Sequence, residues 1–501
     1  MMVKVSLRAL PLASVAFLCT AHASHAEPRA GNTCDPRIYG ATNDGTTDNT
    51  VMLQKTIDDC AASGGGIVRI TGGGTYITGP ISLHSHIYLL IDAGTVLKNT
   101  NDHSRYQPAF IGYPFEFKND PAVSGAGPTL PGLPEAMISA YNATDVGILG
   151  QGTIDGSGAD PAAFATPDNL SALSWWQLAA NAKAAGTAYA GYPDIPSSNG
   201  LPRPWLLEFY GSTLVTVSGV TLTNSPMWSM GLRYCDGVVV YNYVVRHPSD
   251  SPNTDGIDLV GSKNVVMANL DISTGDDNIA IKSGLPGVPD GAYYAAPYNL
   301  PRIPTSNIVV ANSKFGRGHG LSVGSETVNG IHDIVGSNIH FAGTDNGFRI
   351  KTGRDRGNHI YGIVMQNLIM TDVPIPLSIF EYYPTIPDAV TGDIVQTVTH
   401  EPHVHDISVS NVTATNPGTV RTTATTGGLV IGLPESPIAN LKLDHVHITS
   451  SSPTYMRLRN LVNSTCDDVT IMPVNQGPPN NGAAFNNEGG LSFVTGCGIS
   501  P

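Results

Sequence analysis

The chain has 501 residues, of which 55 are glycine, 37 are proline and only 13% are charged, a composition that excludes a coiled coil or long-helix protein. A hydrophobic fraction of 41% excludes global disorder. The net charge of −14 argues against nucleic acid as a partner, since that binding rests on Lys and Arg at phosphates, and against anionic membranes.

Residues 1–26 read as a secretory signal peptide. Lys4 and Arg8 make the start basic, Leu10 to Cys19 is apolar, and Ser24-His25-Ala26 supplies small residues before a cleavage at Glu27. The apolar stretch is too short to span a bilayer, and no other stretch approaches that length. An exported protein is expected, without Cys19. Five cysteines then remain. Cys34 with Cys60, and Cys466 with Cys497, are candidate disulfides that would staple the two ends, although spacing alone does not decide pairing. Cys235, inside an apolar run, would be a buried thiol.

Next along the chain, Val51 to Cys60 has the amphipathic pattern of a helix. From about residue 145 a short pattern recurs: apolar alternation flanked by Asn or Asp. Examples are Asn264-Val-Val-Met-Ala-Asn269, Asn307-Ile-Val-Val-Ala-Asn312, Asp333-Ile-Val-Gly-Ser-Asn338 and Asp406-Ile-Ser-Val-Ser-Asn411. Strand-length alternation recurring every 26 to 43 residues is the mark of a solenoid, whose coils bury their apolar rows only by stacking. The expected fold is all-β: a single-domain right-handed parallel β-helix over residues 27–501, capped at its start by the helix, with Asn in turn positions that tolerate left-handed backbone. Breaks at about 100–140, 157–203, 284–305, 383–402 and 470–492 are long Pro/Gly-rich loops expected on the substrate face. Ser174-Trp175-Trp176-Gln177-Leu178 has the pattern of a short helix within one of them.

Four motifs carry candidate chemistry: Asn253-Thr254-Asp255, Gly275-Asp276-Asp277, Gly318-His319-Gly320 and Arg349-Ile350-Lys351. Removing the insertion near 284–305 leaves each about one coil from the next. Residues one coil apart sit side by side, about 4.8 Å apart, so winding would gather three carboxylates, an imidazole and two cations. Alternation sends Arg349 and Lys351 to one face and Ile350 to the other. Asp276 and Asp277 are adjacent, so both reach one cleft only if the backbone bends, and Gly275 is expected to supply that freedom. Three carboxylates alone would also fit a calcium site. His403-Val-His405 and His445-Val-His447 have a metal-like spacing but no supporting Cys or acidic pattern, and read as strand surface.

With these four motifs in this order, the sequence resembles a glycoside hydrolase family 28 polygalacturonase. Tyr39-Gly40-Ala41, Asp44-Gly45-Thr46-Thr47-Asp48 and Gly152-Thr153-Ile154-Asp155-Gly156 extend the resemblance, and Ser174 to Ala179 with Gly324-Ser325-Glu326-Thr327 look most like bacterial endo-acting members. The resemblance implies hydrolysis of α-1,4 bonds between galacturonic acids of pectin, with inversion and with no metal or cofactor. By motif match Asp276 would be the general acid, Asp255 and Asp277 would activate water, and His319 would tune the acid. Arg349 and Lys351 would bind sugar carboxylates, and Asn253 and Tyr383 would also bind substrate; Tyr383 matches a family tyrosine, with Tyr382 leaving the register open.

Physical chemistry agrees: glycoside hydrolysis needs one protonated carboxyl and one carboxylate, and crowded like charges keep a proton on one of them. The acidity of the whole chain is no obstacle, because Arg246 to Arg356 holds 10 Lys and Arg against 11 Asp and Glu. Arg246, Lys282, Lys314, Arg317, Arg354 and Arg356 are further candidates for substrate carboxylates. Competing readings are a calcium-dependent pectate lyase and a non-enzymatic carbohydrate-binding β-helix. Endo action is favoured over exo, and a monomer is the default.

Overall fold

The structure is a computed structural model that describes residues 32–106, 136–165, 169–185, 203–284, 303–387, 394–415, 427–450, 455–473 and 485–497. The expected signal peptide and much of the five expected loops lie outside the described residues.

The described chain winds as a right-handed parallel β-helix. Each coil adds one strand to a sheet of 12 and one or two to a sheet of 22, and every ladder is parallel, with neighbours drawn from adjacent coils. The 12-stranded sheet carries the four motifs. Its central strands are Met230–Arg233, Ile257–Val260, Ile279–Lys282, Leu321–Gly324, Asn346–Lys351 and Ile375–Phe380.

Register explains the core. Ile257, Ile279, Leu321, Phe348 and Leu377 form one row, and Leu259, Ile281, Val323, Ile350 and Ile379 form the next. All ten are essentially inaccessible to solvent. Burying each such side chain is worth roughly 1.5–3 kcal/mol against leaving it exposed, and only the neighbouring coil can provide that burial.

The recurring Asn residues do what the sequence leads one to expect. Asn264, Asn269, Asn307, Asn312, Asn338, Asn367, Asn411 and Asn440 have φ between 51° and 57°. Their amides form ladders between coils: Asn338 donates to Asn312 (3.0 Å), Asn367 to Asn338 (3.0 Å) and Asn411 to Asn367 (3.1 Å). Asp333 and Asp406 occupy the same left-handed geometry.

Helix Thr50–Ala62 covers the first coils, burying Leu53, Ile57 and Cys60. The Cys34–Cys60 disulfide ties it to the first strand, and Cys466–Cys497 closes the other end. Cys235 is free, and burial pushes its thiol up to about 12. The expected short helix is present and longer, Trp175–Ala185. It docks through Trp175, stacked on His103 with centroids 3.8 Å apart, and through Trp176 Nε1, which donates to Ser225 O at 2.8 Å.

Candidate active site

Three motifs lie on turns that lead into the 12-stranded sheet. Asp255, Asp277 and His319 each stand two residues ahead of Ile257, Ile279 and Leu321, which are in register. The fourth motif lies on a strand. Arg349 pairs in register with Ser322, and buried Ile350 faces the core between Arg349 and Lys351. Stacking brings all four together on one face.

Local structure shows why these residue types are needed. Asn253 takes φ 53° and accepts from Nη2 of buried Arg203 at 2.7 Å. Thr254 turns inward, and its hydroxyl accepts the Gly275 N–H at 3.1 Å. Gly275 does not serve through conformational freedom, as its sequence setting implied: its φ is not positive, but a Cβ there would lie 2.0 Å from Ser251 O. Close approach of two turns is what demands glycine. The Asn278 amide donates to Ile272 O (3.0 Å) and Arg317 O (3.1 Å), while its Oδ1 accepts the Gly320 N–H (2.9 Å). Asn278 thereby staples the Gly-His-Gly turn to the Asp-Asp turn, and Asp276 and Asp277 both come to face His319.

Asp277 is held by three donors. Lys351 Nζ lies 2.9 Å from its Oδ2, Ser322 Oγ donates to Oδ1 at 2.9 Å, and Arg349 Nη2 also bonds Oδ1. Burial opposes ionisation of Asp277, but Lys351 and Arg349 outweigh it and hold the carboxyl far below the usual range. Asp276 accepts from His319 Nδ1 at 3.0 Å. Burial pushes the Asp276 carboxyl up, and the His319 bond and charge bring it net below its ordinary value. His319 responds inversely: burial lowers it, Asp276 and Asp277 raise it, and the net is upward. Asp255 goes the other way. Burial, then the charges of Asp258 and Asp276, push it well above the carboxylate range, and Lys282 only partly offsets them.

The two tyrosines have different neighbours, Tyr383 beside Lys351 and Arg356 and Tyr382 with Arg354 5.1 Å from its ring. The Tyr383 ring lies 5.7 Å from Lys351 Nζ and 5.2 Å from the Arg356 guanidinium, whereas Tyr382 packs among Leu429, Ile431 and Leu433. Among the further cations, Lys282 is on the motif-bearing face but buried against Asp258, closed to solvent. Arg246 pairs with Asp271 at 2.5 Å, and Lys314 is in register with Asp271; both belong to the 22-stranded sheet, away from the motifs. Arg354 bonds Glu435, and Arg356 bonds Asp355 beside Tyr383. Exposed Arg317 stands two residues before His319.

Sequence reasoning missed Arg203, Asp258, Ser322 and Asp345. His319 Nε2 lies 3.5 Å from Asp345 Oδ2. Ser322 and Asp258 had a usable signal, the alternation that places both in the register row of Arg349.

Among the described residues, Asp276, Asp277 and His319 are the one group of metal-ligating types within 4.8 Å of one another. Arg349 and Lys351 already neutralise Asp277, and a cation there would face two fixed positive charges. The set is built as an ion-pair network.

The four motifs thus meet as paired carboxylates, an imidazole and two cations on one sheet face of a parallel β-helix. The model of glycosyl hydrolases family 28 matches residues 127–467, and the chain belongs to that family. It is 32% identical over 381 residues to an endo-polygalacturonase of Pectobacterium carotovorum subsp. carotovorum, covering 76% of this chain and 82% of that one. Among solved structures, a polygalacturonase from Erwinia carotovora ssp. carotovora superposes with TM-score 0.58 at 26% identity, covering 90% of this chain and 97% of that one. A family 28 exopolygalacturonase of Yersinia enterocolitica shares the fold, with TM-score 0.67 at 21% identity over 94% of this chain and 79% of that one.

Proposed function

We propose that this family 28 hydrolase is a secreted, monomeric, endo-acting polygalacturonase that cleaves α-1,4 bonds between galacturonic acid residues with inversion, in one β-helical domain spanning 27–501 after loss of residues 1–26. The observation that carries the reading is the convergence of Asp255, Asp276, Asp277 and His319 on one face beside Arg349 and Lys351.

In this reading the Asp276–His319 pair holds one proton between its two partners, and Asp276 passes it to the leaving oxygen. Two coupled groups titrate as a pair, so a low Asp276 beside a high His319 is equivalent to one shared proton. Asp277, kept ionised by its cations, orients the attacking water, and Asp255 takes the proton from that water once it has itself ionised. Asp255 starts with a strong hold on a proton, so activity is expected to fall as pH drops through its raised titration, before strongly acidic solution is reached. Arg349, Lys351 and Arg356, grouped around Tyr383 and Asp277, offer the positive charge that a galacturonate carboxylate requires.

The likeness to the endo-acting Pectobacterium enzyme and the Ser174–Ala179 segment favour endo action. The test is a product-size time course on polygalacturonate. Mixed oligomers with a rapid fall in viscosity fit the proposal, whereas monomer or dimer alone from the first time point means exo action. Products that absorb in the ultraviolet, with activity lost in chelator, would instead mean a lyase.

A further inference from the structure

Beside Asp255 lies a buried charge pair that the chemistry above does not use. Lys282 ends strand Ile279–Lys282 and is 5% exposed, and Asp258, in the middle of the adjacent strand, is fully buried. Lys282 Nζ lies 2.7 Å from Asp258 Oδ1, 3.8 Å from Asp255 Oδ2 and 4.0 Å from Glu326 Oε1, and 3.9 Å from the centroid of the Trp228 ring. One ammonium thus stands among three carboxylates, of which only Asp255 belongs to the four motifs, and it is closest to Asp258. A buried ion pair adds little stability over an apolar pair of the same shape. Its place against a site carboxylate therefore calls for another reason.

We propose that the Lys282–Asp258 pair is a positioning device for Asp255: Asp258 holds the ammonium and so limits how much of its charge Asp255 feels, which sets the pH at which Asp255 gives up its proton. The activity readouts rest on the polygalacturonase reading.

The charged groups facing Asp255 are few. Asp258 comes from its own strand, Lys282 from the next strand, and Asp276 and Asp277 from the turn before that strand. Arg203 approaches from the segment ahead of Trp205–Tyr210, and Glu326 lies on the far side of Lys282. Of these, the contact between Asp258 and Lys282 is the shortest that can change the share of positive charge at Asp255 without altering Asp276, Asp277 or His319 themselves.

Asp258→Asn keeps the shape, removes one repelling carboxylate and releases the ammonium toward Asp255. Asp255 then ionises at lower pH. If Asp255 is the group that takes the proton from water, the acid limb of kcat/KM moves to lower pH, with activity below the wild-type limb about tenfold higher and KM unchanged. If Asp255 is instead a proton donor, the alkaline limb moves to lower pH. Either shift supports the device and tells which role Asp255 plays. Lys282→Arg keeps the wild-type limbs, and Lys282→Gln moves them to higher pH.

A pH profile of Asp258→Asn that superimposes on wild type overturns the proposal, whatever happens to Tm. Should Asp258→Asn not fold, identical limbs in Lys282→Arg and Lys282→Gln overturn it equally. A wild-type protein inactive on polygalacturonate sinks the functional reading alone. The carbon-13 carboxyl titration of Asp255 in the same variants still tests the device, and an unshifted titration overturns it.

Discussion

Nδ1 of His319 lies 3.0 Å from Oδ1 of Asp276, and the two side chains share the consequences of one proton. Burial alone would raise Asp276 and lower His319, and their contact reverses both directions. The signs fix a stability window. His319, raised on folding, contributes stability that is complete below the pH where an unfolded histidine titrates and is lost as pH rises through its folded value. Asp276, lowered on folding, contributes stability that is complete above the unfolded aspartate range and is lost as pH falls through its folded value. The gap in Tm between wild type and His319→Gln is therefore expected to be widest near about pH 5 and to narrow toward about pH 9. Thermal melts across that range check it, and a gap independent of pH counts against the pairing.

Asp277 carries a different load. It is the shared anion of Arg349 and Lys351, and its side chain is almost fully buried. Asp277→Asn leaves two partly desolvated cations without their charge partner, which costs about 3–5 kcal/mol. It also removes the carboxylate assigned to the water, for a loss in kcat of roughly 100-fold or more. Asp277→Asn is expected to lower both Tm and kcat, measured by thermal melts and by reducing-sugar release. Full stability with lost activity would mean that the cations find other partners.

Asp345 stands on the far side of His319. Its Oδ2 lies 3.5 Å from Nε2, its N–H donates to Gly318 O at 2.8 Å, and its Oδ1 is buried with no hydrogen-bond partner among the described residues. A carboxylate on one imidazole nitrogen orients the other. Asp345→Asn is expected to lower kcat roughly tenfold while KM stays near wild type, with recovery in Asp345→Glu. A rise in KM with kcat intact would place Asp345 in substrate binding instead.

The coil repeat was legible because its signals are local. Alternation marks the strands, Asn marks the left-handed turns, and once the period is known the four motifs must stack. Asp276 and His319 are 43 positions apart and in contact for that reason alone. What escaped the sequence depends on matters outside any one coil. Lys282 looks like a surface cation until Asp258 and Trp228 close around it. Arg246 and Lys314 look equivalent to Arg354, because alternation does not announce which sheet a strand joins. Tyr382 and Tyr383 differ by one position, and only packing shows that the former meets Leu429, Ile431 and Leu433 while the latter lies beside Lys351.

Asn338 tests how much of the spiral rests on its turns. It has φ 56°, donates to Asn312 Oδ1 at 3.0 Å and accepts from Asn367 Nδ2 at 3.0 Å. Alanine there loses both amide bonds and must hold a left-handed backbone, which costs roughly 1–2 kcal/mol for an ordinary L-residue. Glycine loses the same bonds but takes that backbone without a steric cost. Asn338→Ala is therefore expected to destabilise the protein by about 1–2 kcal/mol more than Asn338→Gly, read from urea midpoints at equal m-values. Equal losses in the two variants would assign the residue's value to its amide ladder and remove the backbone explanation for the recurring asparagine.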